Sequence, residues 1–504
     1  MPARIQVPTD RAAPAGRSVA PFLLFVPIVP GALSLIRAIP RGGSGKAIRG
    51  VGKLDILLIS TYELGHQPLA LASPLAYLAA AGYAPVAVDT SVDTLTDEQI
   101  ARAALVAISV PMHTALRLGV ALAERVRRVN PSAHICCYGL YALLNAEYLR
   151  PRYTDTTIGG EYEGALLALA QGLEAGERPV RHDAPLLVRL TLPVPDRTSL
   201  PPLRRYAAFR RGAELVEAGY VEATRGCRHT CLHCPIPPVY GGRFFAIPRE
   251  TVLADIRAQV AAGARHITFG DPDFLNGPTH ALRLARALHA EWPDLTFDAT
   301  IKIEHILEHA ELFPEFAACG CAFVVSAVES LSDTVLRHLD KGHTRADVIA
   351  ALTILDAAGI PLRPSLLPFT PWTTLDDYID LLTFFEERGL LDHVDPVHFS
   401  IRLLVPPGSS FIGLPGSAAW LGPLDAAAFT HRWRHADPRL DELQRAVAAA
   451  VEVGARDGAD PYDTFAAIKG LALAARGEPM LAPLSGRVAL ARRPVPGLTE
   501  SWFC

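Results

Sequence analysis

Three cysteines crowd into eight positions of this chain, in the run Arg225-Gly226-Cys227-Arg228-His229-Thr230-Cys231-Leu232-His233-Cys234-Pro235. The spacing is Cys-x3-Cys-x2-Cys, with no fourth cysteine nearby. Thiolates are soft ligands that select iron–sulfur clusters or zinc. Three of them leave one iron of a four-iron cluster without a protein ligand. That iron is free to chelate an amino and a carboxyl group. The loop has to be short, because three ligands must converge on one face of the cluster. A structural zinc site is the alternative, with His229 or His233 as fourth ligand. Against it, a zinc ribbon pairs two Cys-x2-Cys knuckles and only one is present here.

The elements that must position this loop form two alternating series. Short apolar runs at 54–60, 84–89, 105–109, 134–138 and 154–158 alternate with helical patterns near 68–81, 96–103, 114–129 and 164–173. Such alternation predicts a parallel sheet covered on both faces, a Rossmann-like or flavodoxin-like doubly wound domain over 51–175. Residues 176–214 are rich in proline and arginine and read as a linker. A second series predicts strands at 217–223, 266–269, 295–300, 323–328, 362–367 and 397–404. It defines a partial (β/α)6 barrel over 215–412, with function expected at the C-terminal strand ends. Residues 413–504 read as a helical, Ala-rich extension with a Pro-rich end.

With its place after the first barrel strand, the triad resembles the radical S-adenosylmethionine (SAM) superfamily, over residues 217 to about 410. The family signature is Cys-x3-Cys-x-aromatic-Cys, and His233 stands in the aromatic position, where imidazole can pack against adenine. The resemblance implies a [4Fe-4S] cluster on Cys227, Cys231 and Cys234 that cleaves SAM reductively. It places Asp271 or Asp273, in Gly270-Asp271-Pro272-Asp273-Phe274, at the SAM amino group. A strand-end turn explains the same residues. Glu329, ending the fourth strand, is a candidate for ribose hydroxyls. Arg402 and Arg363 lie inside apolar strands, where an unpaired cation is costly. The SAM carboxylate or an internal salt bridge answers that cost, and Lys302 follows the same logic.

A doubly wound domain ahead of such a barrel resembles the cobalamin-binding group of that superfamily. The matching residues are the opening strand, Pro74-Leu75-Ala76-Tyr77-Leu78-Ala79-Ala80, and Gly160-Glu161-Tyr162-Glu163-Gly164. The Asp-x-His-x-x-Gly cobalt-ligand signature is absent; Tyr62-Glu63-Leu64-Gly65-His66-Gln67 stands there, and His113 follows the third strand instead. Cobalamin is therefore left open as a third cofactor. The substrate class, small molecule or peptide, is open too. An electron donor such as flavodoxin or ferredoxin is implied.

Composition bounds the rest. The chain has 504 residues, half of them hydrophobic, and a net charge of −4. That balance argues against nucleic acid as a partner. Eight clustered cysteines suit a reduced, cytoplasmic chain better than a disulfide framework. The first fifty residues hold seven bases and one acid, so they carry +6 and the remainder −10. Their apolar run is broken by Pro27 and Pro30 and predicts neither a membrane span nor a signal peptide. A disordered or mis-called extension is expected. Among His266, His305 and His343 no metal-ligand spacing is evident.

Phe369-Thr370-Pro371-Trp372, Arg402 to Ser409 and the ending Glu500-Ser501-Trp502-Phe503-Cys504 resemble a narrower subfamily. Its tail reads Cys, then Cys or selenocysteine, then Ala-Glu-Pro. The resemblance makes Cys504 a catalytic candidate and the next codon a UGA that encodes selenocysteine. A natural ending in a free thiol is the alternative. The mass of the native C-terminus from selenium-replete cells decides: a tail longer than Cys504 is expected, and a chain ending there refutes the idea.

Overall fold

The computed structural model describes residues 53–478 and 495–500. The expected extension at 1–50 and Cys504 lie outside them.

The first domain is a five-stranded parallel sheet built from β1 (Ile56–Ser60), β2 (Val86–Asp89), β3 (Leu105–Ser109), β4 (His134–Tyr138) and β5 (Thr156–Ile158). Their order is β2-β1-β3-β4-β5, the flavodoxin-like arrangement. β1 and β3 are buried along their full length, which is why they read as unbroken apolar runs. Helices Leu69–Ala80 and Glu163–Glu174 pack on one face with Leu58 and Ala107. Helix His113–Val129 packs on the other with Ile59 and Ile108.

The linker is tied down rather than loose. Arg197 bonds both oxygens of Asp255 at 2.7 and 2.9 Å and also reaches Gln67 and the Tyr220 carbonyl.

The second domain opens with β6 (Ala208–Arg211) and β7 (Glu214–Val221). A small hairpin follows, β8 (Thr224–Gly226) with β9 (Phe244–Ala246). Then come β10 (His266–Phe269), β11 (Thr296–Thr300), β12 (Cys321–Glu329) and β13 (Leu362–Leu366). Strands β7, β10, β11, β12 and β13 run parallel in one curled sheet. Helices Arg249–Ala261, Pro278–Glu291 and Arg345–Ala358 bury Ile256, Leu284 and Leu355 on its outer face. Inside, Phe209 stacks on His266 at 3.7 Å, and Phe323 continues the stack. His266 is a satisfied core histidine, bonded to Thr296 and Asp298.

The sixth expected strand, 397–404, does not form as such. Pro396–Ser400 is a 3-10 turn, and pairing is reduced to one bridge, Phe369 to Arg402. Pro396 cannot donate to a ladder. The extension also departs from the helical expectation. Gly413, Pro415, Gly416 and Pro423 break any helix there, and an antiparallel hairpin of β14 (Leu421–Asp425) and β15 (Thr430–Trp433) comes first. Its tip, Phe429, has a φ of 54° and is buried among first-domain residues. Helices Pro438–Asp457 and Pro461–Arg476 follow, and β16 (Gly497–Leu498) pairs with β6.

The two domains meet at Arg225, whose side chain is only 6% exposed. Its guanidinium contacts Glu163 at 2.7 Å, Glu222 at 2.8 Å and Glu161 at 3.5 Å, and lies over the Tyr162 ring. Removing one member of a buried ion cluster leaves charge unpaired in low dielectric. Arg225→Met should therefore lose about 3–5 kcal/mol of folding stability, read by chemical denaturation of the cluster-free protein.

Candidate functional site

The triad loop begins one residue past β8, at the C-terminal side of the parallel sheet. Gly226 turns the chain into it with a φ of 79°; a Cβ there would stand 2.5 Å from the Arg243 carbonyl oxygen. Asn276 clasps the turn from both sides, donating to the Gly226 carbonyl and accepting from the Arg228 amide, each at 3.1 Å. Farther along, the Leu232 amide donates to the Leu339 carbonyl. Cys231 is buried; Cys227 and Cys234 are partly exposed. Burial pushes the Cys227 thiol up to about 11.

Of the two histidines that would close a zinc site, His229 is engaged at both ring nitrogens and His233 at Nε2. His233 Nε2 meets Glu329 Oε1 at 3.1 Å. His229 lies between Lys302 and His305, each at 3.2 Å. The donor set that remains is three thiols, which fits a cluster with one open iron. His233 Nδ1 is buried without a hydrogen-bond partner, a polar atom beside the triad that a ligand can satisfy.

Asp271 accepts from the Ala223 amide at 2.9 Å and from Thr224 Oγ1 at 2.6 Å, tying β10 to the strand that launches the loop. Burial raises its carboxyl, more than these bonds lower it, to about 7. Asp273 faces His305 at 2.7 Å and His229 at 3.5 Å. Burial works upward on it, but its histidine contacts hold it below the usual carboxylate range. Glu329, with a φ of 62°, contacts His233 and Lys341. Burial opposes its charge, yet the Lys341 ammonium and His233 bring it down to about 2. A non-glycine residue in that conformation stores strain of the kind found at functional sites.

Two expected contacts fall elsewhere. Arg363 stands near the start of β13, level with Val325, and binds Asp395 at 3.1 Å and the Pro496 carbonyl. Arg402 binds Asp441 at 2.7 Å and the Trp433 carbonyl, with its guanidinium 3.5 Å from the Trp433 ring centre. Their cost of burial is met inside the protein rather than beside the triad. Lys302 does reach the site, pairing with Glu304 and His229.

Sequence reading missed His305, Lys341 and Arg225. An arginine two residues before the first cysteine was a visible signal, given its apolar strand. His305 and Lys341 carry none, because only the fold brings them to the loop.

Toward the first domain, the loop after β1 approaches the open side of the curled sheet. His66 packs on Tyr220 with ring centres 4.5 Å apart, and burial lowers it to about 4. His113 bonds the Ala428 carbonyl at 2.7 Å. Glu63 Oε1 is sealed with no hydrogen-bond partner. Burial, then the nearby Asp89 carboxylate, raises Glu63 to about 8.

Residues 221–385 match the family described as the Radical SAM superfamily. The chain is 29% identical over 198 residues to the tRNA-2-methylthio-N(6)-dimethylallyladenosine synthase of Desulfosudis oleivorans. That match covers 37% of this chain and 42% of the relative, so the chain spans less than half of the relative's length. Among solved structures, it resembles the cobalamin-dependent SAM radical enzyme OxsB with aqua-cobalamin and SAM bound. The TM-score is 0.63 at 16% identity, covering 80% of this chain and 67% of that one. It also resembles the radical SAM methyltransferase TsrM from Kitasatospora setae, with a TM-score of 0.53 at 17% identity, covering 67% and 71%. At such identities the likeness is one of fold.

The raised carboxyls set a pH dependence. Folded Glu63 holds its proton up to about 8, whereas the unfolded residue loses it near 4.5. The folded chain thus binds more protons, and stability falls as pH rises toward and through 8. Asp271 and Glu161, both near 7, act with the same sign. His66 and His343, both lowered to about 4, act oppositely, but mainly below 6.5. Melting temperature should therefore drop between pH 6.5 and 8.5, and Glu63→Gln should flatten part of that slope in the same thermal scan.

Proposed function

We propose that this chain is a radical SAM enzyme, and that Cys227, Cys231 and Cys234 hold its [4Fe-4S] cluster. The observation that carries this is the three-thiol loop at the C-terminal side of the parallel sheet, with His229 inside it engaged at both ring nitrogens. Such a cluster, when bound, supplies an electron to the SAM sulfonium and so starts radical chemistry.

The chain's own residues prepare the place. Asn276 and Asp271 fix the strand and turn from which the loop departs. Glu329 and Lys341 hold His233 from the opposite side. Asp273, whose Oδ2 is buried beside His305 and His229 without a hydrogen-bond partner, and Asp271 are the candidates for the SAM amino group. Glu329 stays charged at any working pH and remains available to a donor such as a ribose hydroxyl.

The finer reading is group transfer assisted by cobalamin, most simply methyl transfer. The β2-β1-β3-β4-β5 domain and the fold shared with OxsB and TsrM support it. In that reading the first domain supplies no histidine to cobalt, since His66 and His113 are both engaged. An electron donor such as flavodoxin or ferredoxin is the expected partner. Among the described residues no helix is long and apolar enough to cross a membrane. The tail at Cys504, whether thiol or selenol, joins the chemistry only if the narrower subfamily resemblance holds.

Anaerobic purification tests the proposal. About four irons and four sulfides per chain, with 5′-deoxyadenosine formed on reduction, are expected. Cys231→Ala should lose both. One zinc per chain without SAM cleavage would refute it in favour of a zinc-binding interaction protein. Cobalamin absorbance in the purified protein separates the finer reading from SAM-only chemistry.

A further inference from the structure

His229 sits midway between Cys227 and Cys231, and its side chain enters a buried polar chain. Lys302 Nζ lies 3.2 Å from His229 Nδ1. His229 Nε2 lies 3.2 Å from His305 Nε2, and His305 Nδ1 lies 2.7 Å from Asp273 Oδ2. His305 and Asp273 are almost wholly buried, and the approach between them is bent rather than linear.

The protons in this chain have one consistent arrangement. A lysine ammonium only donates, so His229 Nδ1 accepts. A neutral imidazole carries one proton, so His229 Nε2 holds it and donates to His305 Nε2. His305 then carries its own proton on Nδ1, facing the Asp273 carboxylate. His229 is used at both nitrogens and His305 at Nε2, with a cation at one end and the Asp273 carboxylate 2.7 Å from His305 Nδ1 at the other. Glu304 faces the same end, paired with Lys302 and 3.5 Å from His229 Nδ1. Glu308 stands 4.0 Å from His305 Nε2 and 3.6 Å from Arg228, at the exposed edge.

His229, Asp273 and His305 also have the types and proximity of a divalent metal site. A metal would need a ring lone pair that the chain already uses, and it would sit beside the Lys302 cation. Of these atoms His229 Nε2 is hydrogen-bonded, while His305 Nδ1 and Asp273 Oδ2 are close but form no hydrogen bond, so a zinc ion is the alternative that metal analysis decides.

We propose that Asp273, His305 and Lys302 are positioning residues that act through His229 to hold the Cys227–Cys231 segment and to set the electrostatic field at the cluster it carries. This rests on the radical SAM reading above. Asp273 brings a carboxylate and Lys302 an ammonium to opposite ends of the same row of side chains, so their charges act on the cluster with opposite sign.

The test uses the anaerobically reconstituted full chain and three readouts: iron and zinc per chain, iron retention against a chelator, and the midpoint potential of the cluster by redox titration with electron paramagnetic resonance. His229→Leu should weaken iron retention by about 10- to 100-fold, the usual effect of losing an outer-shell partner. His229→Gln can still accept from Lys302 and donate to His305, and should restore retention. Asp273→Asn should move the midpoint potential up, and Lys302→Met should move it down. A merely structural role would not give opposite signs. Equal retention in the leucine and glutamine variants overturns the proposal, as do shifts of one sign or none. So does a zinc ion beyond the four irons that His305→Phe removes. If the wild-type chain assembles no four-iron cluster, the functional reading fails instead.

Discussion

Everything in the fold that concerns the triad passes through one buried cation. Arg225 is two residues from Cys227, yet its partners Glu161, Glu163 and Ser73 belong to the first domain. A guanidinium enclosed this way is tolerable only because several acceptors converge on it. Their convergence requires the β5–helix turn of one domain and the β8 turn of the other to stand in a fixed relation. The cysteine loop is therefore positioned by both domains at once. Tyr240, just beyond the loop, adds a bond to Glu161 at 3.0 Å and reinforces the same junction.

Around that junction the acids outnumber the bases. Glu63, Asp89, Glu161, Glu163, Glu222 and Asp271 face it, while Arg225 pairs with Glu161, Glu163 and Glu222 and Arg197 is taken by Asp255. Full ionisation would be costly in a sealed space. The raised values of Glu63, Glu161 and Asp271 express that cost. Glu329, a short way along the sheet, escapes it because Lys341 and His233 stand beside it. One crevice thus holds carboxyls kept near neutral and a carboxylate kept charged.

What the sequence revealed and what it hid follow from the range of the interactions. The triad is local, and so are the apolar runs of β1, β3, β10 and β12, which appear where their periodicity placed them. The sixth strand depended on a neighbour: 397–404 has strand composition, but the 3-10 turn at Pro396–Ser400 takes its first half and a single bridge at Arg402 remains. The hairpin at 421–433 was hidden for a similar reason, since its stability comes from Phe429 entering another domain's core. Arg363 and Arg402 were sound as signals of buried charge and misleading as to partner, because composition cannot distinguish an internal carboxylate from a ligand's. His305 illustrates the limit most clearly. It is 76 residues from His229, and no spacing rule links them.

The closing of the sheet on its open side bears on any second cofactor. β16 pairs with β6, while Arg363 of β13 reaches the Pro496 carbonyl, so residues 495–500 bridge the two margins of the curled sheet at its lower end. Glu500 then accepts from Tyr62, in the loop after β1. That loop also carries Glu63 and His66, and its backbone turns sharply through Leu64 and Gly65 at positive φ. The loop where a cobalt-ligating histidine would stand is thus pinned by the C-terminal segment, with its histidine stacked on Tyr220. A cobalamin bound at this domain would meet a carboxyl and aromatic rings instead of imidazole. The same packing that engages this histidine also ties the loop after β1 to residues 495–500.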